Sequence, residues 1–163
     1  MAPKTAAETR EARKSDRVVT TNRKAFHDYF VIETLETGIV LTGTEIKSIR
    51  DGKASLAEAY ARIEDGELWL VGAHIAPYTH GNRSNHEPDR PRKLLAHKRQ
   101  IAELREAIEQ KGMTLVPLRL VLKQGRAKVE LATVRGKKLY DKRNAAADRE
   151  SQRDIERALR GRE

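Results

Sequence analysis

Apolar residues alternate with polar ones through much of this chain, and a period of two predicts strands with one buried face. Six segments show this pattern or are rich in β-branched and aromatic residues: Tyr29–Leu35, Ile39–Leu41, Tyr60–Ile63, Leu68–Val71, Leu115–Leu122 and Lys128–Val134. Asp65-Gly66 predicts a hairpin between the third and fourth segments, and Gln124-Gly125 predicts a turn between the last two. Gly38 is expected to form a turn or bulge. Pro117 is expected at an edge or bulge, because proline cannot donate to a strand ladder.

Two segments have the spacing of helices. Ile46 and Ile49 lie three positions apart and predict a short helix, Glu45–Arg50. Thr44 is its candidate N-cap, and Gly52 is expected to end it.

A longer helix is predicted over Leu94–Lys111. Its apolar residues recur at spacings of seven, three and four, and Gly112 follows at the position where helices commonly end. These residues are Leu94, Ile101, Leu104 and Ile108. The sixteen residues before it, 77–92, contain three prolines and predict a loop. Loops of that length in a compact domain are usually functional or disordered.

The predicted strands are too often consecutive for a parallel sheet with alternating helices. We therefore predict a mainly β fold: an OB-like closed antiparallel six-stranded barrel with about three helices and a disordered basic C-terminal tail. Closure into a barrel removes the exposed sheet edges, and OB-like barrels commonly bind RNA.

Charge divides the chain into three parts. The net charge is +9, but residues 25–134 carry 16 Lys or Arg against 15 Asp or Glu. Residues 1–24 carry seven against three, and residues 135–163 carry ten against six. We predict a basic flexible N-terminal arm over 1–24, an RNA-binding barrel over 25–134 and a basic C-terminal tail over 135–163. Two basic arms on a nearly neutral body suit a polyanionic partner.

The tail has a helical charge pattern. Four arginines recur at i, i+4, i+8 and i+11, and a thin apolar seam lies opposite them. The stripe is Arg149, Arg153, Arg157 and Arg160, and the seam is Ala147, Ser151, Ile155 and Leu159. Two large apolar side chains cannot hold a helix in water. The tail is therefore expected to be disordered when free and helical on an anionic partner.

The junction between barrel and tail, Val134–Arg143, places five cations around one aromatic residue, Tyr140. Such a segment suits phosphate contacts combined with base stacking. An ordinary solvated strand end is the alternative reading of the same ten residues.

No motif for catalysis or cofactor binding is recognised. The chain has no cysteine, and none of its five histidines has the spacing of a metal site. His27-Asp28 would point to opposite faces of a strand, and Glu36 and Glu45 have no visible partner. Aromatic residues are only 4% of the chain and are expected mostly at core positions, which favours a folded RNA read by shape. We expect a cytoplasmic, monomeric protein that is not an enzyme and uses neither cofactor, metal nor membrane.

Several blocks of the sequence, in order, resemble the SsrA-binding protein family, also called small protein B. They are N-R-K-x-x-H-D-Y (Asn22–Tyr29), E-T-G-I-V-L-T-G-T-E-I-K-S-I-R-D-G-K-A (Glu36–Ala54), D-G-E-L-W-L (Asp65–Leu70), R-K-L-L-x-H (Arg92–His97), G-x-T-L-V-P-L (Gly112–Leu118) and G-K-K-L-Y-D-K-R (Gly136–Arg143). The resemblance implies a protein that binds transfer-messenger RNA (tmRNA) in trans-translation. It would occupy the place of the missing anticodon arm on a stalled bacterial ribosome, with its tail in the empty messenger channel.

The resemblance also implies which residues bind RNA and which meet the ribosome. The candidate RNA-binding residues are Asn22, Arg23, Lys24, His27, Glu36, Leu95 and Lys128. The candidate ribosome-binding residues are Gly136, Lys137, Lys138, Tyr140, Asp141, Lys142, Arg143, Arg149, Arg153 and Arg157. Two positions depart from the family pattern: Phe26 replaces a basic residue and removes a phosphate contact, and Ala96 replaces leucine and loosens packing. The alternatives are an rRNA-bound ribosomal or assembly protein with the same barrel and, less well supported, an RNA-processing enzyme.

Overall fold

Six antiparallel strands pair around a closed ring in the computed structural model, which describes residues 16–79, 85–137 and 139–161. The strands are β1 (Arg17–Thr21), β2 (Tyr29–Ile39), β3 (Ala54–Ser55), β4 (Tyr60–Glu64), β5 (Glu67–Val71), β6 (His74–Ile75), β7 (Arg92–Leu95), β8 (Thr114–Lys123) and β9 (Arg126–Gly136). The helices are α1 (Arg23–Asp28), α2 (Gly43–Arg50), α3 (Lys98–Lys111) and α4 (Leu139–Arg160). Around the ring the order is β8, β4, β5, β7, β2, β9 and back to β8, while β3 and β6 form a separate pair. The predicted OB-like fold of strands with helices is confirmed.

The number of ring strands agrees with the prediction, but their membership does not. The two segments expected on either side of Gly38 form one strand, β2, with Gly38 inside it. A Cβ atom at Gly38 would lie 3.2 Å from the Cβ of Leu95 on the neighbouring strand, so glycine at this position permits a close approach rather than a turn.

The sixth ring strand is β7, whose last two residues, Leu94 and Leu95, fall in the segment predicted as the start of the long helix. Leu94 lies on this strand, and its side chain is buried in the core. Its spacing of seven from Ile101 therefore does not mark a shared helix face. The helix begins only after His97, whose backbone N–H donates to Oε1 of Gln100 in a capping box (2.9 Å). The predicted end at Gly112 is confirmed, with a left-handed φ of 62°.

Helix α2 begins two residues earlier than predicted. Its N-cap is Thr42, because the Thr42 backbone N–H donates to Oε1 of Glu45 (2.9 Å) and closes a capping box. Ile46 and Ile49 pack against the core as expected.

Turns and bulges follow the glycine and proline signals. Asp65 and Gly66 both have positive φ in the β4–β5 hairpin, and Gln124 and Gly125 do so between β8 and β9. The register of β8 against β9 shifts after Pro117, which confirms the predicted bulge.

The ordered body begins earlier than the sequence suggested. Residues 17–21 form β1, which pairs with residues 119–122 of β8. β4 pairs with the same edge of β8 at Leu115. Val18 to Thr21 are four β-branched residues without alternation, a run too short to signal a strand by itself, and pairing with β8 supplies its hydrogen bonds. The remainder of the predicted N-terminal arm, residues 1–15, lies outside the described part of the chain.

Apolar residues form two clusters. The larger lies inside the ring and includes Leu68, Leu70, Val129 and Leu131, with α3 contributing Leu104. The smaller lies on the outer face, where Ala25 of α1 covers β8 and β9. It contains Ala25, Val116, Leu118, Ala132 and Val134. α1 is thereby held on the outside of the ring, where its polar residues meet solvent.

Candidate nucleic-acid interface

Asn22, a predicted RNA-binding residue, is buried and forms the N-cap of α1. Its Oδ1 accepts from the Ala25 backbone N–H (3.2 Å), and its Nδ2 donates to the Pro117 carbonyl (3.0 Å). Its backbone N–H also donates to the Leu118 carbonyl (2.7 Å). The side chain therefore fixes α1 against β8, and it is the helix that presents exposed groups to a partner.

The exposed side of α1 carries the next three candidates. Arg23, Lys24 and His27 are exposed, and the Lys24 ammonium pairs with Glu58 (3.2 Å). Nδ1 of His27 lies 2.9 Å from Oδ1 of Asp28. The expectation that these two side chains point apart was wrong, because they lie on a helix and not on a strand. Two cations and an imidazole at one end of the outer face suit phosphate and ribose contacts.

The other three candidates share one face of neighbouring strands. Gly38 of β2 pairs with Leu95 of β7 on one side and with Lys128 of β9 on the other. Directly opposed residues project to the same face, and the neighbouring Leu94 and Val129 are buried inside the ring, so this face is the outer one. Leu95 is 51% exposed. Glu36 precedes Gly38 by two positions and projects from the same face.

The register extends this arrangement across five strands. Lys128 pairs with Val121 of β8, and Val121 pairs with Val18 of β1. We call this set the outer row: Val18, Val121, Lys128, Gly38 and Leu95. It is largely apolar with one cation at its centre, and it lies on the same outer surface that α1 partly covers.

Ion pairs flank the outer row. Oε2 of Glu36 accepts a hydrogen bond from the ammonium of Lys123, and this bond raises the pKa of Lys123. Two register pairs beyond Val121 and Lys128, Arg119 of β8 binds Glu130 of β9 (3.0 Å). Glu36 thus has a partner that the sequence did not reveal, since Lys123 lies 87 positions away.

Exposed aromatic residues correct another expectation. Phe26, Phe30 and Tyr60 are exposed and not in the core. The guanidinium of Arg119 lies 5.2 Å from the centroid of the Phe26 ring, so a cation accompanies this exposed ring. Low aromatic content therefore does not by itself exclude stacking on this surface. Ala96 is partly buried and packs against the core.

The base of the tail is tied to α1 and β2. Gly136 pairs with Tyr29, and the Lys137 backbone N–H donates to the Asp28 carbonyl (2.9 Å). The Lys137 ammonium donates to the Phe26 carbonyl (3.4 Å) and lies 5.1 Å from the Phe30 ring centroid. Gly136 and Lys137 therefore belong to the body. Lys138 and the side chains of Tyr140, Asp141, Lys142 and Arg143 lie outside the described residues.

The tail forms helix α4, whereas a disordered segment was expected for the free chain. Alanine, arginine and glutamate favour helix locally, and Arg157 pairs with Asp154 one turn before it (3.7 Å). Arg149, Arg153 and Arg157 are exposed along one side, and Ile155 and Leu159 are also exposed. The helical periodicity is confirmed, and the transition from coil to helix on binding stays a prediction.

A buried charged cluster was missed by the sequence analysis, which left Glu45 unpaired. Glu45 and Arg92 are both fully buried, and Nε of Arg92 binds Oε2 of Glu45. Arg90 binds the other oxygen through Nε (3.1 Å). Burial by itself would raise the pKa of Glu45, but hydrogen bonds from Arg90, Thr42 and Arg92 outweigh it and lower that pKa. The T-x-x-E capping box was the one sequence signal for this carboxylate.

Arg92 also organises the loop before β7. Its guanidinium donates to the carbonyls of Ala73 (2.9 Å) and Pro88 (3.0 Å). His86 bridges Oγ1 of Thr44 (2.8 Å) and the carbonyl of Ile75 (2.8 Å), and is thus engaged in loop packing. His80, the other histidine of the same predicted loop, lies outside the described residues. Contacts with α2 therefore hold the described part of this loop in place. The loop leads into β7, which carries Leu95 on the outer face.

Within the described residues, no helix has the length and apolar character that crossing a membrane requires.

Comparison with known proteins places this arrangement in a family. The family model described as SmpB protein matches residues 19–161. An SsrA-binding protein from Desulforudis audaxviator is 57% identical over 150 residues, covering 92% of this chain and 98% of its own. One from a Roseiflexus species is 60% identical over 148 residues, covering 90% and 94%.

Solved structures give a concordant result. A chain in the structure described as "tmRNA-SmpB: a journey to the center of the bacterial ribosome" is 50% identical and superposes with a TM-score of 0.63. The match covers 74% of this chain and 85% of that one. With a family match over residues 19–161 and relatives of 57% and 60% identity, the chain belongs to the SmpB family of SsrA-binding proteins.

Proposed function

We propose that this chain binds tmRNA and is required for its stable association with stalled bacterial ribosomes in trans-translation. The observation that carries the proposal is the family match over residues 19–161, together with the 50% identity to a chain of the tmRNA–SmpB ribosome structure. The body would replace an anticodon arm and α4 would lie in the empty messenger channel. We further propose that it acts by binding alone, as a monomer in the cytoplasm, without catalysing a reaction.

Two surfaces divide this work in the proposal. The RNA surface consists of the exposed side of α1 and the outer row with Glu36; their cations and apolar side chains suit a folded RNA's phosphates and sugars. The ribosome surface consists of α4 and the segment that joins it to the body. Asn22 contributes to the RNA surface by capping α1, since its own side chain is buried.

The RNA that co-purifies with the chain tests the function. Protein isolated at moderate salt, free of intact ribosomes, should retain one RNA species whose sequence is that of tmRNA. Stoichiometric presence in all ribosomes, with no free RNA partner, would instead support an rRNA-bound ribosomal or assembly protein.

Truncation after Lys138 tests the division between the two surfaces. The shortened protein should bind tmRNA as the full chain does, because the outer row and α1 are intact, and should lose ribosome rescue. Loss of tmRNA binding in a truncated protein that still melts cooperatively would contradict the division.

A proline in the middle of α4 tests whether the tail works as a helix. Asp154→Pro should cost about 3 kcal/mol of helix stability and impair rescue, with tmRNA affinity unchanged. Asp154→Ala is the matched control, because it removes the same charge and its pairing with Arg157 but keeps the helix. Full rescue by the proline variant would mean that the tail acts as a charged, unstructured tether and not as a helix.

A further inference from the structure

We propose that Lys123 binds an RNA phosphate on the outer face and that Glu36 positions it. Glu36 would then support RNA binding through Lys123 and not by touching the RNA. The inference rests on the proposed RNA-binding function and adds a residue, Lys123, to the surface described above.

The position of Lys123 suits this role. It ends β8 at the hairpin to β9, and its ammonium binds Oε2 of Glu36 on β2. The side chains of Lys123 and Glu36 are 46% and 45% exposed, so both are accessible to a partner. A lysine ammonium has three N–H donors. One donor serves Glu36, and two remain for phosphate oxygens.

Lys128 is the nearest predicted RNA-binding cation. It pairs with Val121, which precedes Lys123 by two positions on the same face of β8. Lys123 and Lys128 therefore occupy neighbouring outer positions of one hairpin. Two cations so placed can contact successive or facing phosphates, whereas either alone would make a single contact.

The chemistry of Glu36 points to the indirect role. An ionised carboxylate can only accept hydrogen bonds, so it cannot bond to a phosphate oxygen and is repelled by it. Glu130, the carboxylate opposite Glu36, is likewise bound to a cation, Arg119 (3.0 Å). Carboxylates on this part of the surface thus serve to hold cations.

The same contact keeps Lys123 charged. Its hydrogen bond to Glu36 raises the pKa of Lys123, and the charges of Asp16 and Glu130 contribute in the same direction. An ammonium from which RNA excludes water would otherwise lose some of its preference for the charged form.

A double-mutant cycle on tmRNA binding tests the proposal with Lys123→Ala, Glu36→Gln and the double variant. Lys123→Ala should weaken binding about threefold to tenfold and reduce the log–log salt slope by about 0.7–0.9, the effect of one lost phosphate contact. Glu36→Gln should also weaken binding, and the double variant should bind like Lys123→Ala alone. Lys123→Arg should retain the wild-type salt slope, because it keeps the charge.

Two results would overturn the proposal. If Glu36→Gln weakens binding by the same factor with or without Lys123, Glu36 contacts the RNA itself. If Lys123→Ala leaves affinity and salt slope unchanged, Lys123 does not meet a phosphate. Arg62→Ala with Glu64→Gln is the matched control, an exposed pair on β4 (3.2 Å) away from the outer row. Failure of the proposed function is distinct, since the wild-type chain would then not bind tmRNA.

Discussion

Two carboxylates of this chain form ion pairs of similar chemistry in opposite surroundings. Glu45 of α2 is fully buried, as is its partner Arg92, and Arg90 completes the cluster. Glu36 and Lys123 pair on the outer face with nearly half of each side chain in water. The buried cluster joins α2, a loop and β7, while the exposed pair joins β2 and β8, which are both paired with β9.

The difference assigns the two pairs to different tasks. Water screens an exposed pair, which typically contributes about 0–1 kcal/mol to stability. Removing one partner of a buried pair leaves an uncompensated charge in the interior, which costs about 3–5 kcal/mol. We therefore expect the Glu45 cluster to decide whether the fold forms, and the Glu36 pair to matter for what the folded chain binds.

Glu45→Ala should lower the free energy of unfolding by about 3–5 kcal/mol, because Arg92 would be left buried without its counter-charge. Chemical denaturation measures the loss. Binding of tmRNA by the fraction that remains folded should be less affected than stability. If the free energy of unfolding falls by less than about 1 kcal/mol, Glu45 contributes no more to stability than an exposed ion pair, and the contrast with Glu36 is wrong.

Lowering the pH should also weaken the contribution of the Glu45 cluster to stability. The pKa of Glu45 is lower in the folded state than in the unfolded chain, so its contribution to stability is present above the ordinary glutamate pKa of 4.5. That contribution is lost as pH falls through the folded-state pKa. The difference in unfolding free energy between wild type and Glu45→Gln should therefore shrink as pH falls below about 4.5. A constant difference down to pH 2 would contradict the lowered pKa.

Arg90→Ala should have an intermediate effect. Arg90 is 30% exposed, and Arg92 would still neutralise Glu45 in its absence. We expect a loss of about 1.5 kcal/mol, the lower end for hydrogen bonds to charged groups. Chemical denaturation of Arg90→Ala and Glu45→Ala in parallel measures which variant loses more unfolding free energy. Equal losses would mean that Arg92 alone cannot compensate the charge of the Glu45 carboxylate.

Glu36→Gln should change the unfolding free energy by less than about 1 kcal/mol, because its pair is exposed. Its effect should appear in tmRNA affinity instead. A shift of many degrees in melting temperature, with affinity preserved in what remains folded, would make Glu36 a structural residue.

Local signals in the sequence predicted much of the ring. Alternation located most strands, Asp65-Gly66 and Gln124-Gly125 located hairpins, and Pro117 located a bulge, because turn and bulge geometry depends on a few neighbouring residues. Charge partition and the quoted blocks pointed to RNA and to the family, and both depend on composition and order alone.

Tertiary structure decided what depends on distant partners. Leu94 has helix-like spacing from Ile101 but lies in a strand, because β5 and β2 offer it backbone hydrogen bonds and the core accepts its side chain. Glycine is typical of turns, but Gly38 lies inside β2 and permits close packing between strands. The pairing of Glu45 with Arg92 and of Glu36 with Lys123 spans 47 and 87 positions, and no local pattern encodes it. Only the closed ring brings these charges together, and burial there determines which pair stabilises the fold and which stays available to a partner.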